Sequence, residues 1–285
     1  MASEDKPIAP PRLLERLLAG QDLSEAEADG LLVEMASGRL DAALAGALLA
    51  ALRGKGEAAD EIRGFANAMR RLALRPALAE GPAYVDIVGT GGDGSGSLNL
   101  STGSALLAAA CGLAVVKHGN RSISSRSGSA DVLAALGMPV PLDERQAAEC
   151  FAELGFTFLF APHYHPAMKH IAPVRAALGV RTVFNILGPL ANPAAPPFHV
   201  IGAFSEPMAG RMAETLAGMA IERAFVVHGS AGWDEATPVG PFVCFDVRPG
   251  KVERVVRDPA AYGLARCAVE PLLGGDAAEN ARRLA

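Results

Sequence analysis

Apolar residues recur every three to four positions along the first 75 residues, and capping or breaking residues punctuate the recurrence. Leu13, Leu14, Leu17 and Leu18 make one apolar face, with Gly20 as a stop. Ser24 and Glu27 form an S-x-x-E capping box that opens a second helix, which Gly38 ends. Asp41 caps a third, Ala-rich helix running to Gly54. A fourth follows Asp60, with Ile62, Phe65, Ala66 and Met69 on one side. No strand pattern interrupts them, so residues 1–75 read as a small helical domain.

Pro76, Gly81 and Pro82 mark a linker over 75–83, and the period then changes. Short apolar runs at 84–88, 113–116, 156–160, 198–204 and 224–227 alternate with helical stretches near 103–111 and from Ala130. Such runs predict strands buried on both faces. Residues 239–257 read as a hairpin turning at Pro249-Gly250. The fold class is therefore α/β: a small helical N-terminal domain, then a large domain over 83–285 whose mostly parallel sheet is flanked by helices.

The richest chemistry lies between the first strand and the next helix, at Gly89-Thr90-Gly91-Gly92-Asp93-Gly94-Ser95-Gly96-Ser97-Leu98-Asn99-Leu100-Ser101-Thr102. Glycines let the main chain approach phosphate closely, and a helix N-terminus favours anions. Gly89, Gly91 and Gly94 also satisfy G-x-G-x-x-G. That fingerprint wants an acid at the end of the next strand, where this chain has Lys117-His118. No Gly-Lys-Ser/Thr closes the run as a P-loop requires. Asp93 inside the loop suits a pyrophosphate bridged by magnesium better than a bare one.

A second loop, 117–129, carries three cations, two glycines and five serines, a composition that wraps an anion with charge-assisted hydrogen bonds. After the 224–227 strand comes His228-Gly229-Ser230-Ala231-Gly232-Trp233-Asp234-Glu235. Adjacent carboxylates suit Mg²⁺, which takes one or two protein acids and fills its shell with phosphate and water. His163, His165 and His170 lack cysteine or acid partners at zinc spacing, and packing or surface roles fit them better.

The net charge of −5, from 26 basic and 31 acidic residues, means an anionic ligand must be held locally and disfavours nucleic acid. Cys111, Cys150, Cys244 and Cys267 show no CxxC pairing, which implies reduced thiols and a cytoplasmic chain. No apolar run reaches the length of a membrane span, and the first residues carry no basic-then-apolar signal region.

Taken together, the two loops and the Asp-Glu pair resemble anthranilate phosphoribosyltransferases, as does Phe184-Asn-Ile-Leu-Gly-Pro-Leu-Ala-Asn-Pro193. The resemblance runs the length of the chain. It departs at Ser97-Leu98, where the family usually has Thr-Phe, and at Ala231 and Trp233. It also implies a family chain that continues beyond Ala285 through mostly helical structure.

By that resemblance, Gly89, Gly92, Asp93, Ser97, Asn99, Leu100, Ser101 and Thr102 hold phosphoribosyl pyrophosphate. The second loop joins them with Lys117, His118, Gly119, Asn120, Arg121, Ser122, Ile123, Ser124, Ser125 and Ser129. Lys117 and Arg121 stabilise the leaving pyrophosphate. Ser101, Asp234 and Glu235 serve Mg²⁺, while Gly89, Asn120 and Arg175 meet anthranilate. A homodimer joined through the helical domain is implied, with a segment near 165–185 returning to that domain. A nucleoside phosphorylase of the same fold, or a non-catalytic relative that binds nucleic acid, are the competing readings.

Overall fold

The computed structural model describes residues 9–78, 83–121 and 126–285. In chain order the helices and strands are α1 (Pro10–Leu18), α2 (Glu25–Ser37), α3 (Ala42–Lys55), α4 (Ala59–Leu72), β1 (Tyr84–Gly89), α5 (Leu100–Ala110), β2 (Ala114–Gly119) and α6 (Ser129–Ala135). There follow α7 (Glu144–Leu154), β3 (Phe156–Phe160), α8 (Ala161–Tyr164), α9 (Ala172–Leu178), α10 (Phe184–Leu187), β4 (Phe198–Gly202), α11 (Glu206–Ala217), β5 (Arg223–Gly229), β6 (Phe242–Arg248), β7 (Lys251–Arg257) and α12 (Ala277–Leu284). Among the described residues no helix is long and apolar enough to cross a membrane.

The chain divides into two compact units, one taking in the residues up to Ala73 with His165–Leu187, the other Leu74–Tyr164 with Gly188–Ala285. In the helical unit, Ser24 Oγ accepts the Glu27 N–H while the Glu27 carboxylate accepts the Ser24 N–H at 2.8 Å. Asp41 caps α3 by accepting from Ala43 N at 2.9 Å. Two boundaries differ from the sequence reading. α3 runs through Gly54 to Lys55, and α4 begins at Ala59, because Glu61 reaches back to the Ala58 N–H at 2.7 Å and closes the first turn ahead of Asp60. Buried Glu61 also pairs with Lys55 at 2.9 Å. α2 and α4 pack closely at Gly64, where a Cβ would come within 2.3 Å of the Glu25 carbonyl oxygen. The apolar face of α1 is only half buried: Leu13 and Leu17 are covered, and Leu18 is 71% exposed.

The α/β unit is built on a seven-stranded sheet of order β3-β2-β1-β4-β5-β6-β7. β3, β2, β1, β4 and β5 run parallel, and β6 and β7 add an antiparallel edge. Alternation along β2 and β3 feeds two cores. Val115, Phe156 and Phe158 pack with Ala105 of α5 and Leu133 of α6. Val116 and Leu159 pack on the other face with Ala147 of α7 and Tyr164. β4 stops at Gly202, two residues before the end of the apolar run, as the chain turns toward the Ser205 cap of α11. Parallel pairing sends the C-terminal ends of β1, β2, β4 and β5 to one edge of the sheet.

Candidate active site

Each of those four strands ends in glycine: Gly89, Gly119, Gly202 and Gly229. The loop after β5 lies directly on three of them. A Cβ at Gly202 would fall 1.5 Å from the Asp234 carbonyl oxygen, one at Gly89 would meet an Asp234 carboxylate oxygen at 2.4 Å, and one at Gly229 would meet the Glu235 carbonyl oxygen at 2.3 Å. Strand-end glycines thus let the Asp-Glu pair fold down onto the edge of the sheet. Sequence reasoning missed Gly202, which sits in no glycine-rich run, and named Gly229 only as part of the acidic loop.

The loop after β1 takes its shape from four left-handed glycines, Gly91, Gly92, Gly94 and Gly96, with φ between 62° and 72°. Left-handed glycines let the main chain turn tightly here, and turns of this kind can present N–H groups to an anion. Asp93 organises it: Oδ1 accepts from Ser95 N at 3.1 Å and Ser95 Oγ at 2.9 Å, and Oδ2 accepts from Asp234 N at 3.1 Å. The Asp234 carboxylate returns the bond by accepting from Gly91 N at 2.7 Å. Two loops 141 residues apart in sequence are therefore cross-tied by acids.

Three acids converge here. Asp234 is pushed up to about 6, first by burial and then by Asp93. Glu235 is pushed well above its ordinary value by burial, Asp234 and Asp93 in that order. Its Oε2 is buried with no hydrogen-bond partner among the described residues. Lys117 is fully buried beneath them, donating to the Ile87 carbonyl oxygen and, at 3.5 Å, to Ser101 Oγ. Burial lowers its pKa to about 8, against the pull of Asp86, Glu235 and Asp234. An orphaned acid oxygen beside a second buried acid and a serine hydroxyl fits a hard divalent cation. No cluster of three or more His, Cys, Asp or Glu among the described residues could hold a metal ion by itself. Such a cation would need oxygens from a phosphate ligand to complete its shell.

Buried acids beside a glycine-rich turn suit a divalent cation and a phosphate ligand, and comparison with known proteins gives the chain a family. Two family models match: the helical bundle domain of a glycosyl transferase family over residues 11–73, and its a/b domain over residues 81–285. An anthranilate phosphoribosyltransferase from Rubrobacter xylanophilus is 49% identical over 271 residues, covering 95% of this chain and 79% of that protein. The chain belongs to the anthranilate phosphoribosyltransferase family. The crystal structure of the Thermus thermophilus anthranilate phosphoribosyltransferase superposes with a TM-score of 0.87 at 46% identity, covering 95% of this chain and 80% of that one. The Saccharomyces cerevisiae anthranilate phosphoribosyltransferase in complex with PRPP and Mg superposes with a TM-score of 0.85 at 28% identity, covering 96% and 79%.

Within this anthranilate phosphoribosyltransferase fold, many of the residues read from the sequence meet at the sheet edge. Asn99 Nδ2 donates to the Ser127 carbonyl oxygen at 3.1 Å, and Thr102 Oγ1 to Ser129 Oγ at 3.0 Å, so the first two loops are tied together. Ser97 bridges to Leu273, and Leu100 and Ser101 open α5. His118 is buried, with Nδ1 2.9 Å from the Gly188 carbonyl oxygen. Gly119 leaves room for the Phe158 ring. Asn120 Oδ1 accepts the Arg121 N–H at 2.7 Å, and the Arg121 side chain is exposed, 3.7 Å from Asp131. Ser122, Ile123, Ser124 and Ser125 lie outside the described residues.

Arg175 belongs to the helical unit, on α9, with its guanidinium 5.2 Å from the centroid of Phe184. Trp233 is buried. The Phe184–Pro193 signature gains a physical reason at Asn192, which donates to Asp86 Oδ2 at 2.9 Å and to the Val116 carbonyl oxygen at 2.8 Å. It locks β1 to β2 just below Lys117. No local pattern announces that role.

Proposed function

We propose that this chain transfers the phosphoribosyl group of phosphoribosyl pyrophosphate to anthranilate, giving N-(5′-phosphoribosyl)anthranilate and pyrophosphate. The observation that carries the reading is the buried, unpartnered Glu235 Oε2 beside Asp234, Lys117 and the glycine-rich turn. The family's names, and the PRPP and Mg in the yeast relative, support it.

The chemistry asks for little acid–base machinery. The nitrogen lone pair of anthranilate forms the bond to the ribose anomeric carbon, the bond from that carbon to pyrophosphate oxygen breaks with its electron pair, and the amine then sheds a proton to water. Negative charge grows on the departing pyrophosphate. Main-chain N–H groups of the 89–99 turn, the Lys117 ammonium and the exposed Arg121 guanidinium are suited to stabilise it. Asp234, Glu235 and Ser101 would hold Mg²⁺, which when bound supplies Lewis-acid stabilisation of phosphate oxygens. Arg175 offers a planar fork to the anthranilate carboxylate, with Gly89 and Asn120 as further contacts. The serines of the second loop, with Thr102, Ser129 and the main chain of Asn99, would complete the diphosphate contacts.

This reading assigns anthranilate recognition through Arg175 to the helical part, 1–75 with its return near 165–185, and phosphoribosyl pyrophosphate to the 83–285 part. It includes a cytoplasmic location and a homodimer formed through the helical unit. An exposed apolar groove on α1 and α3, lined by Leu14, Leu18, Ala47, Ala50 and Ala51, supports the dimer. Anthranilate fluorescence tests the whole: the signal should fall only when enzyme, phosphoribosyl pyrophosphate and Mg²⁺ are all present. No fall in signal, or cleavage of a nucleoside by inorganic phosphate in its place, refutes it.

A further inference from the structure

We propose that Asn280 is a positioning residue that holds the Asn99 side chain off the first turn of α5 and sets the two anion loops for the diphosphate; the proposal rests on the phosphoribosyl pyrophosphate reading above. Asn99 stands at the N-cap of α5, where asparagine ordinarily turns its side chain onto the helix's own N–H groups. Here it makes no such bond. Its Oδ1 instead accepts from Asn280 Nδ2 at 2.8 Å, and its Nδ2 donates to the Ser127 carbonyl oxygen at 3.1 Å.

Asn280 is 1% exposed, and its orientation is fixed by the Gly275 N–H, which donates to Asn280 Oδ1 at 2.7 Å. That leaves Nδ2 to face Asn99 Oδ1 and Ser127 Oγ, the latter at 2.9 Å. One amide from α12 thus touches both anion loops across 181 and 153 residues of sequence. The main chain reinforces it: Leu98 N donates to the Leu272 carbonyl oxygen and Gly274 N to that of Gly96, each at 2.8 Å. Held in this way, the Asn99 side chain does not cap α5, whose Ser101 N–H faces the Glu235 carboxylate, and the two anion loops are fixed against each other.

Release of Asn99 should let it compete with the ligand. Three variants separate positioning from mere stability. Asn280→Ala removes the whole contact, and Asn280→Asp keeps the acceptor for Gly275 N but loses both donor bonds. Leu284→Ala trims the packing of α12 against α5 near Gly103 and leaves the amide untouched. Binding of phosphoribosyl pyrophosphate with Mg²⁺ is measured by calorimetry, and KM for each substrate by fluorescence.

Both Asn280 variants should raise Kd and KM for the diphosphate about tenfold, the scale typical of losing a partner that orients a ligand group. KM for anthranilate should hold, and Leu284→Ala should lower Tm with both KM values unchanged. Asn280→Asp carries the test if the alanine variant does not fold. Unchanged diphosphate affinity in the Asn280 variants, or an equal rise in Leu284→Ala, overturns the proposal. Failure of the unsubstituted chain to bind the diphosphate overturns the underlying reading, and this proposal with it.

Discussion

The carboxylate of Asp234 accepts the main-chain N–H of Gly91 at 2.7 Å, tying the acidic loop after β5 to the glycine loop after β1. The bond holds a buried acid within reach of a second, Asp93, whose charge helps to raise Asp234 to about 6. Such an arrangement costs stability, and the cost has a defined pH window.

Folded Asp234 titrates above its ordinary 3.8, so the folded state binds more protons between about pH 4 and 6 and stability falls as pH rises through that range. Above pH 6 the full cost is present, on the order of 2–3 kcal/mol at about 1.4 kcal/mol per pKa unit. Asp234→Asn should therefore raise Tm at pH 8, lose that advantage below about pH 4, and still cost about 100-fold or more in activity. A variant that is both less stable at pH 8 and active would contradict this account.

Lys117 has the opposite sign. Burial lowers its pKa to about 8, so the folded state binds fewer protons than the unfolded chain between about pH 8 and 10.5, and stability rises with pH across that window. The same loss of charge should weaken hold on the diphosphate. KM for phosphoribosyl pyrophosphate should climb up to about tenfold per unit above pH 8, while KM for anthranilate stays level. A flat profile to about pH 9.5 would remove Lys117 from the binding role.

Gly202→Ala should displace the Asp234 loop, because the new methyl would fall 1.5 Å from the Asp234 carbonyl oxygen. Expected losses are about 1–3 kcal/mol in unfolding free energy and most of the activity. Gly210→Ala on α11 is the control: its Cβ would meet Phe245 at an ordinary 3.6 Å. Calorimetry and turnover on both variants check the contrast.

Arg175→Ala should raise KM for anthranilate far more than KM for the diphosphate, by about 10- to 100-fold for a lost charge-assisted pair. Equal rises in both would argue for a general structural role beside Phe184.

Leu18→Asp places a charge in the exposed groove of α1 and α3. If two copies pair through that face, sedimentation should show a shift from dimer to monomer with each α/β unit still folded. An unchanged oligomer would move the interface elsewhere.

What can be read from the sequence is what is local. Gly91 to Gly96, Lys117 and Asp234-Glu235 announce themselves because the chemistry and the spacing sit within a few residues of each other. Capping by Ser24, Glu27 and Asp41 is legible for the same reason. Gly202, Asn192 and Asn280 are not, because each acts on a partner far along the chain: Asp234, Asp86 and Asn99. The start of α4 eludes the sequence because Asp60 and Glu61 compete as first-turn acids, and only the fold shows which one reaches Ala58. Periodicity counts Leu18 into an apolar face whose outer half the fold leaves bare.

The run of four glycine-terminated strands amounts to a bare shelf of peptide backbone along one side of the sheet. Such a shelf has no side chains to exchange, so what is grasped there must be set by the turns that rise from it. Selectivity can then drift by substitution in those turns while the footing stays fixed, and a residue larger than glycine at position 89, 202 or 229 would dislodge the turn that carries both carboxylates.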